Sequence, residues 1–127
     1  MIAVVAGVVR RGERLLLCQR PEGKRFGMLW EFPGGKIEAG ESPEAALERE
    51  LREELHVETH TGRVLDALRL DDRNGGDLLL LFYESAIVSG EPQAVECRAL
   101  AWALPEEVAG YDLAPADRRF ARRHLGL

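Results

Sequence analysis

Glu50, Glu53 and Glu54 stand beside Arg49 in the stretch GGKIEAGESPEAALERELREELHV, which runs from Gly34 to Val57. Glu50 and Glu54 are four residues apart, so on a helix they share a face as like charges, with Glu53 alongside. Two unit charges about 4 Å apart near a protein surface interact by about 4 kcal/mol, and a hard divalent cation is the natural compensation. Gly34, Gly35 and Gly40 come before the carboxylates at close spacing, which suits a backbone turn approaching a metal or a phosphate. Glu41 adds one more carboxylate. The chemistry these residues support is a divalent-metal site that handles a pyrophosphate. A plainer alternative is a solvated helix laced by Arg49–Glu53 and Glu48–Arg52 pairs, each worth about 0.2–0.5 kcal/mol. That alternative leaves the acidic cluster and the glycines unexplained.

The carboxylates need a helix to carry them. Ser42 is a good N-cap, Pro43 fits the first helical position, and Glu44 lies near the positive helix end. At about 100° per residue, Leu47, Leu51 and Leu55 make an apolar stripe, with Glu50, Glu53 and Glu54 along its edge. Glu48 and Arg52 are expected to face solvent as a pair. The acidic edge thus borders the buried face, where a site between helix and domain would form.

The flanking segments read as strands. Ile2 to Val9 and Arg14 to Gln19 predict a hairpin across a Gly12 turn, and Met28 to Phe32 predicts a short extended segment ending at Pro33. Beyond the helix, Arg63 to Leu70 and Leu78 to Val88 predict strands separated by a turn over Asp71 to Asp77. Cys97 to Leu104 predicts a last strand, Pro105 to Val108 a helical turn, and Pro115 to Leu125 a terminal helix. The order predicts an α+β fold with a mixed or antiparallel sheet in a single domain over 1–127.

Composition narrows the function. A net charge of −5 argues against polymer nucleic acid as the main partner, because such domains carry basic patches. An acidic protein acting on an anionic small molecule needs metal ions or local basic residues, which again favours a metal. The two cysteines, Cys18 and Cys97, lie far apart in apolar contexts without zinc-ligand spacing, and read as free buried thiols. No apolar run approaches the roughly 18 residues of a membrane helix. The expectation is a cytoplasmic protein with no membrane partner.

Gly35, five residues, Glu41, seven residues and then Arg49-Glu50-Leu51-Arg52-Glu53-Glu54-Leu55-His56-Val57 resemble the Nudix box. All the charged positions match. His56 is the one departure, standing where the family has glycine; a left-handed helix end is expected there, and His is among the residues enriched at positive φ. The resemblance implies the Nudix fold, a mixed sheet sandwiched by helices. It implies Mg²⁺, or Mn²⁺ in its place, held by Glu50, Glu53 and Glu54 with the carbonyl of Gly34. Arg49 would hold a catalytic glutamate, and Gly35 and Glu41 would support the site. The general base is left open among Glu53, Glu54 and Glu96.

Leu29 to Lys36, Gln19-Arg20-Pro21 and Glu96 resemble the MutT-like branch, the nucleoside triphosphate pyrophosphohydrolases. On that resemblance Arg20 contacts substrate phosphate and Glu96 is a further metal-binding or base glutamate. Leu113-Ala114-Pro115-Ala116-Asp117 resembles the base-recognition segment of the branch. Asp117 stands where MutT has asparagine and where bacterial CTP pyrophosphohydrolases have aspartate. An ionised aspartate only accepts hydrogen bonds and pairs with an amine such as cytosine N4, whereas a protonated one can still read an oxidised purine. The expected activity is hydrolysis of a nucleoside triphosphate to its monophosphate and pyrophosphate, with 8-oxo-dGTP and cytidine nucleotides as rival substrates and the oligomeric state open. The rival from another class is a non-catalytic nucleotide-binding or regulatory domain; intact Arg49, Glu50, Glu53 and Glu54 argue against it.

Overall fold

A computed structural model describes residues 1–72 and 76–126. The chain forms β1 (Ile2–Arg11), β2 (Arg14–Gln19), β3 (Trp30–Glu31), β4 (Gly34–Lys36), α1 (Pro43–Leu55), β5 (Glu58–Asp72), β6 (Gly76–Ser89), β7 (Ala99–Ala103), α2 (Pro105–Val108) and α3 (Pro115–His124). The hairpin between β1 and β2 is present, but it pairs only at Arg10 with Leu15 and Arg11 with Arg14. Its two arms then part. β1 joins β4 antiparallel and β6 parallel, and β6 continues antiparallel to β5. β2 takes β3 and β7 as antiparallel neighbours. The sheet is therefore mixed.

Helices cover both faces, which explains the near-continuous apolar run in β1. Val5 and Val9 pack with Leu47, Leu51 and Leu55 of α1. Ala6 and Val8 point the other way, toward Phe82 and toward Phe120 and Ala121 of α3. On this second side Phe82 stacks on Phe120 at 4.4 Å, and Phe32 meets both rings edge-on. A strand buried on both faces loses the polar alternation of a half-exposed one.

Several local expectations are corrected. Gly34 and Gly35 are not a turn but the strand β4, opposite Ala6 and Val5. The extended segment over Met28 to Phe32 shrinks to Trp30–Glu31, because Met28 is at φ 70°. The last strand starts at Ala99, which leaves Cys97 in the preceding loop. Glu48 and Arg52 do not pair with each other. Glu48 accepts from the Thr61 amide at 3.0 Å and Arg52 binds Glu58 at 2.7 Å, so both tie α1 to β5. The turn expected over Asp71 to Asp77 has its middle, residues 73–75, outside the described residues.

Candidate active site

Helix α1 starts as its sequence dictates: the Ser42 hydroxyl accepts from the Ala45 amide at 3.1 Å, and Pro43 takes the first turn. It ends at His56, which adopts φ 56° and ψ 41° and donates its amide to the Arg52 carbonyl at 3.1 Å. The left-handed helix end persists without glycine.

Arg49 is the hub of the acidic edge. Its Nε and Nη2 donate to the Glu41 carboxylate at 2.6 and 2.9 Å, and Nη1 donates to Glu50 at 3.0 Å and to Glu53 at 3.3 Å. Nη2 also reaches the Lys36 carbonyl at 3.0 Å. The clamp fixes α1 against β4 and orients the glutamates. Gly35 leaves room for the Glu50 carboxyl group, which a β-carbon there would displace from its place beside Arg49. At Gly34 a β-carbon would strike the Val5 carbonyl on β1. The glycines permit contact between strand and strand, and between strand and carboxylate.

Glu54 lies deeper. Its Oε2 is buried without a hydrogen-bond partner. Burial, then the fields of Glu50, Glu31 and Glu96, push its carboxyl up to about 9. Burial also raises Glu50, against the opposing pull of Arg49. Glu96, from the loop before β7, thus joins the cluster electrostatically with both Glu50 and Glu54. Among the described residues no three such side chains are gathered ready to hold an ion; Glu50 and Glu53 are turned onto Arg49. The donor set nonetheless fits a hard divalent cation. It offers only carboxylate and carbonyl oxygens, it contains an orphaned buried oxygen, and burial together with the neighbouring carboxylates has already raised Glu54 and Glu50.

Sequence reasoning missed Glu31. It faces Cys18 in the register of β2 and β3, takes the Arg20 guanidinium at 3.2 Å, and is raised by burial. The available signal was a lone carboxylate inside the apolar run Leu29-Trp30-Glu31-Phe32. Glu31 joins the acidic cluster to a cleft of about 410 Å³ lined by Arg20, Glu31, Gly35, Lys36, Leu80 and Asp117, among others. Arg20 is therefore beside the cluster, its Nε also donating to the Arg25 carbonyl at 2.7 Å.

Asp117 closes the far side of the cleft. The start of α3 is stitched to β3 by bonds from the Trp30 amide to the Asp112 carbonyl (2.8 Å) and from the Ala114 amide to the Trp30 carbonyl (2.9 Å). Asp117 is buried, accepts from the Phe32 amide at 2.9 Å through Oδ1, and is pushed up to about 8 by burial and then by Glu31. It is no plain surface acid. A larger cavity, about 520 Å³, lies at the other end of α3 beside Arg10, His60, Phe120 and His124, and shares no lining residue with the cleft.

The geometry can be set against known proteins. The model for the NUDIX domain matches residues 1–124. The CTP pyrophosphohydrolase of Escherichia coli K12 is 44% identical over 117 residues, covering 92% of this chain and 86% of that protein. The 8-oxo-dGTP diphosphatase of Haemophilus influenzae is 32% identical over 126 residues, covering 98% and 92%. Among solved structures, the MutT NUDIX hydrolase from Burkholderia pseudomallei superposes with a TM-score of 0.80 at 28% identity, over 97% of both chains. No helix among the described residues is long and apolar enough to cross a membrane. With the domain matched along almost its whole length and close relatives that act on nucleoside triphosphates, the chain belongs to the Nudix hydrolase family.

Proposed function

We propose that this chain is a single-domain, Mg²⁺-dependent nucleoside triphosphate pyrophosphohydrolase working in the cytoplasm, with Mn²⁺ able to replace Mg²⁺. One observation carries the reading: Glu31 and Gly35, which line the cleft with Arg20 and Asp117, also border the acidic cluster, Glu31 through its field on Glu54 and Gly35 against the Glu50 carboxyl group. A triphosphate lying along that cleft would reach the carboxylates with its phosphates and Asp117 with its base.

Glu50, Glu53, Glu54 and Glu96, with the Gly34 carbonyl, would hold the cation. When bound, the cation neutralises polyphosphate charge and lowers the pKa of a water. The chain's own residues set the geometry. Arg49, gripped by Glu41, fixes Glu50 and Glu53 against rotation. Glu54 carries its proton at neutral pH while no cation is bound, and releases it on forming the site. Arg20 neutralises a phosphate oxygen. Water adds in line to one of the two phosphorus atoms flanking the α,β-bridging oxygen, the bond opposite the water, to that oxygen, breaks, and the nucleoside monophosphate and pyrophosphate part. A glutamate of the cluster takes the water's proton.

Asp117 reads the base. The relatives named for CTP and for 8-oxo-dGTP frame the two substrate classes, cytidine nucleotides and oxidised guanine nucleotides, and turnover of modified nucleotides fits pool sanitation. The test is pyrophosphate release over a panel of normal and oxidised nucleotides, with and without Mg²⁺. Turnover of CTP, dCTP or 8-oxo-dGTP that requires Mg²⁺ is expected. No hydrolysis of any nucleotide with Mg²⁺ present would leave only the non-catalytic binding domain.

A further inference from the structure

Neither cysteine has a part in the hydrolysis, yet the fold brings them together. Cys18 is buried in β2 between Glu31 of β3 and Leu100 of β7, and Cys97 is half-buried in the loop before β7. Cys97 packs against the buried cluster that contains Cys18, and each thiol shifts the titration of the other, Cys18 upward and Cys97 downward. The backbone beside each is clamped: the Arg98 amide donates to the Gln19 carbonyl at 2.9 Å, and the Arg98 guanidinium to the Gln19 side chain at 3.1 Å. At its other end the loop hangs on α1, with the Gln93 amide on the Leu55 carbonyl at 3.0 Å and the Val95 amide on the Glu54 carbonyl at 3.2 Å. The loop carrying Cys97 thus also carries Glu96 and touches the backbone of Glu54.

We propose that Cys18 and Cys97 are a peroxide-sensitive modification site that closes to an intrachain disulfide and switches the neighbouring carboxylate site off. In the first step the Cys97 thiol attacks hydrogen peroxide; the O–O bond breaks, sulfur gives up two electrons, and Cys97 sulfenic acid and one water form. In the second, the Cys18 thiol attacks the Cys97 sulfur, the S–O bond breaks, and the oxygen leaves as a second water once it has taken the Cys18 proton. The two thiols are oxidised and the peroxide is reduced to two waters. Cys97, the more exposed, meets the oxidant, and Cys18, shielded in the sheet, resolves it.

The structural consequence follows from which side can move. A disulfide needs the sulfurs at about 2.05 Å, well inside the non-bonded contact of two free thiols. Cys18 is held by strands on both sides, so the Cys97 loop must travel, and Glu96 travels with it. Misplacing a catalytic group by about 1 Å can cost about a hundredfold in rate. The effect on turnover rests on the hydrolase reading; formation of the disulfide does not.

The experiment treats reduced full-length protein with hydrogen peroxide, blocks remaining thiols with iodoacetamide, and reads intact mass alongside Mg²⁺-dependent nucleotide hydrolysis. The expected result is loss of two hydrogens (about 2 Da) with both cysteines protected from alkylation, a linked Cys18–Cys97 peptide, and a rate at least tenfold lower that dithiothreitol restores. Cys97→Ser should hold its rate within twofold under peroxide. Cys18→Ser should trap a sulfenic acid that reacts with dimedone. Two alkylatable thiols after peroxide, a disulfide between two chains, or an intrachain disulfide with unchanged turnover would each overturn the proposal. Mass and peptide mapping report on the pair even if no nucleotide is hydrolysed, which separates its failure from that of the hydrolase reading.

Discussion

Burial raises Glu54 to about 9 and Asp117 to about 8, so the fold favours the protonated form of both at neutral pH, and each makes a distinct prediction. A cation can take Glu54 only as the carboxylate, so Mg²⁺ binding should release close to one proton per protein at neutral pH. Calorimetry in two buffers of different ionisation enthalpy measures that release. Glu54→Gln should abolish it and lower turnover by about a hundredfold or more; an unchanged release would remove Glu54 from the ligand set. Asp117 accepts from the Phe32 amide through Oδ1. If its other oxygen reads the base, as proposed, it would carry a proton below about pH 8 and donate to a carbonyl, as on 8-oxoguanine. Above that pH the carboxylate would accept from an amine, as on cytosine. The ratio of kcat/KM for CTP to that for 8-oxo-dGTP should therefore rise between about pH 6.5 and pH 9 by about tenfold, the worth of one charge-assisted hydrogen bond. In Asp117→Asn the ratio should be flat. A flat wild-type ratio ends this role for Asp117.

The elements that carry these acids were unequally legible in the sequence. Helix α1 was read nearly residue for residue, because its cap, proline and leucine stripe are local signals. The pairing of Gly34–Gly35 with β1 was not, since it depends on a partner some thirty residues earlier in sequence, which no local pattern encodes. Glu31 and the approach of Cys97 to Cys18 were missed for a related reason: strand register places Glu31 opposite Cys18, and a loop tied to Gln19 carries Cys97. His56 is the element-scale oddity. A non-glycine residue at φ 56° costs about 1–2 kcal/mol, so His56→Gly should stabilise the protein by about 1 kcal/mol, a rise in Tm of about 3–6 °C. Thermal unfolding followed by circular dichroism checks it, and a lower Tm would show that the His56 side chain contributes more than its strain removes. Gly35→Ala goes the other way. Its β-carbon drives into the Glu50 carboxyl, so the rate should fall at least about a hundredfold while the helix content stays normal. Wild-type turnover in that variant would dissociate Glu50 from the chemistry.

At the scale of the whole molecule, the sheet serves as a platform that holds two helices on opposite faces and the cleft between β3, β4 and the start of α3. Burying acid groups on the helices against that platform has a thermodynamic signature. The folded values of Glu54 and Asp117 lie above their ordinary values of 4.5 and 3.8, so the folded state binds these protons more tightly than the unfolded chain. Stability from this source is fully present below about pH 4 and is lost as pH rises toward about 9. Glu41, Glu58, Glu91 and Asp66 are shifted downward, so their contribution changes only in the acid range, below their ordinary values. Between about pH 5 and pH 9 the raised acids therefore pull stability down as pH rises, opposed in part by the Cys97 thiol, which is lowered to about 7. Protein stripped of metal with EDTA should show a Tm that falls by several degrees from about pH 6 to pH 9, and Glu54→Gln should flatten much of that fall. Millimolar Mg²⁺ should raise Tm more at pH 8.5 than at pH 6, because fewer protons must leave and binding to the folded state alone is stabilising. A Tm gain from Mg²⁺ that is equal at both pH values, or a slope untouched by Glu54→Gln, would mean that the cation and Glu54 do not share a site.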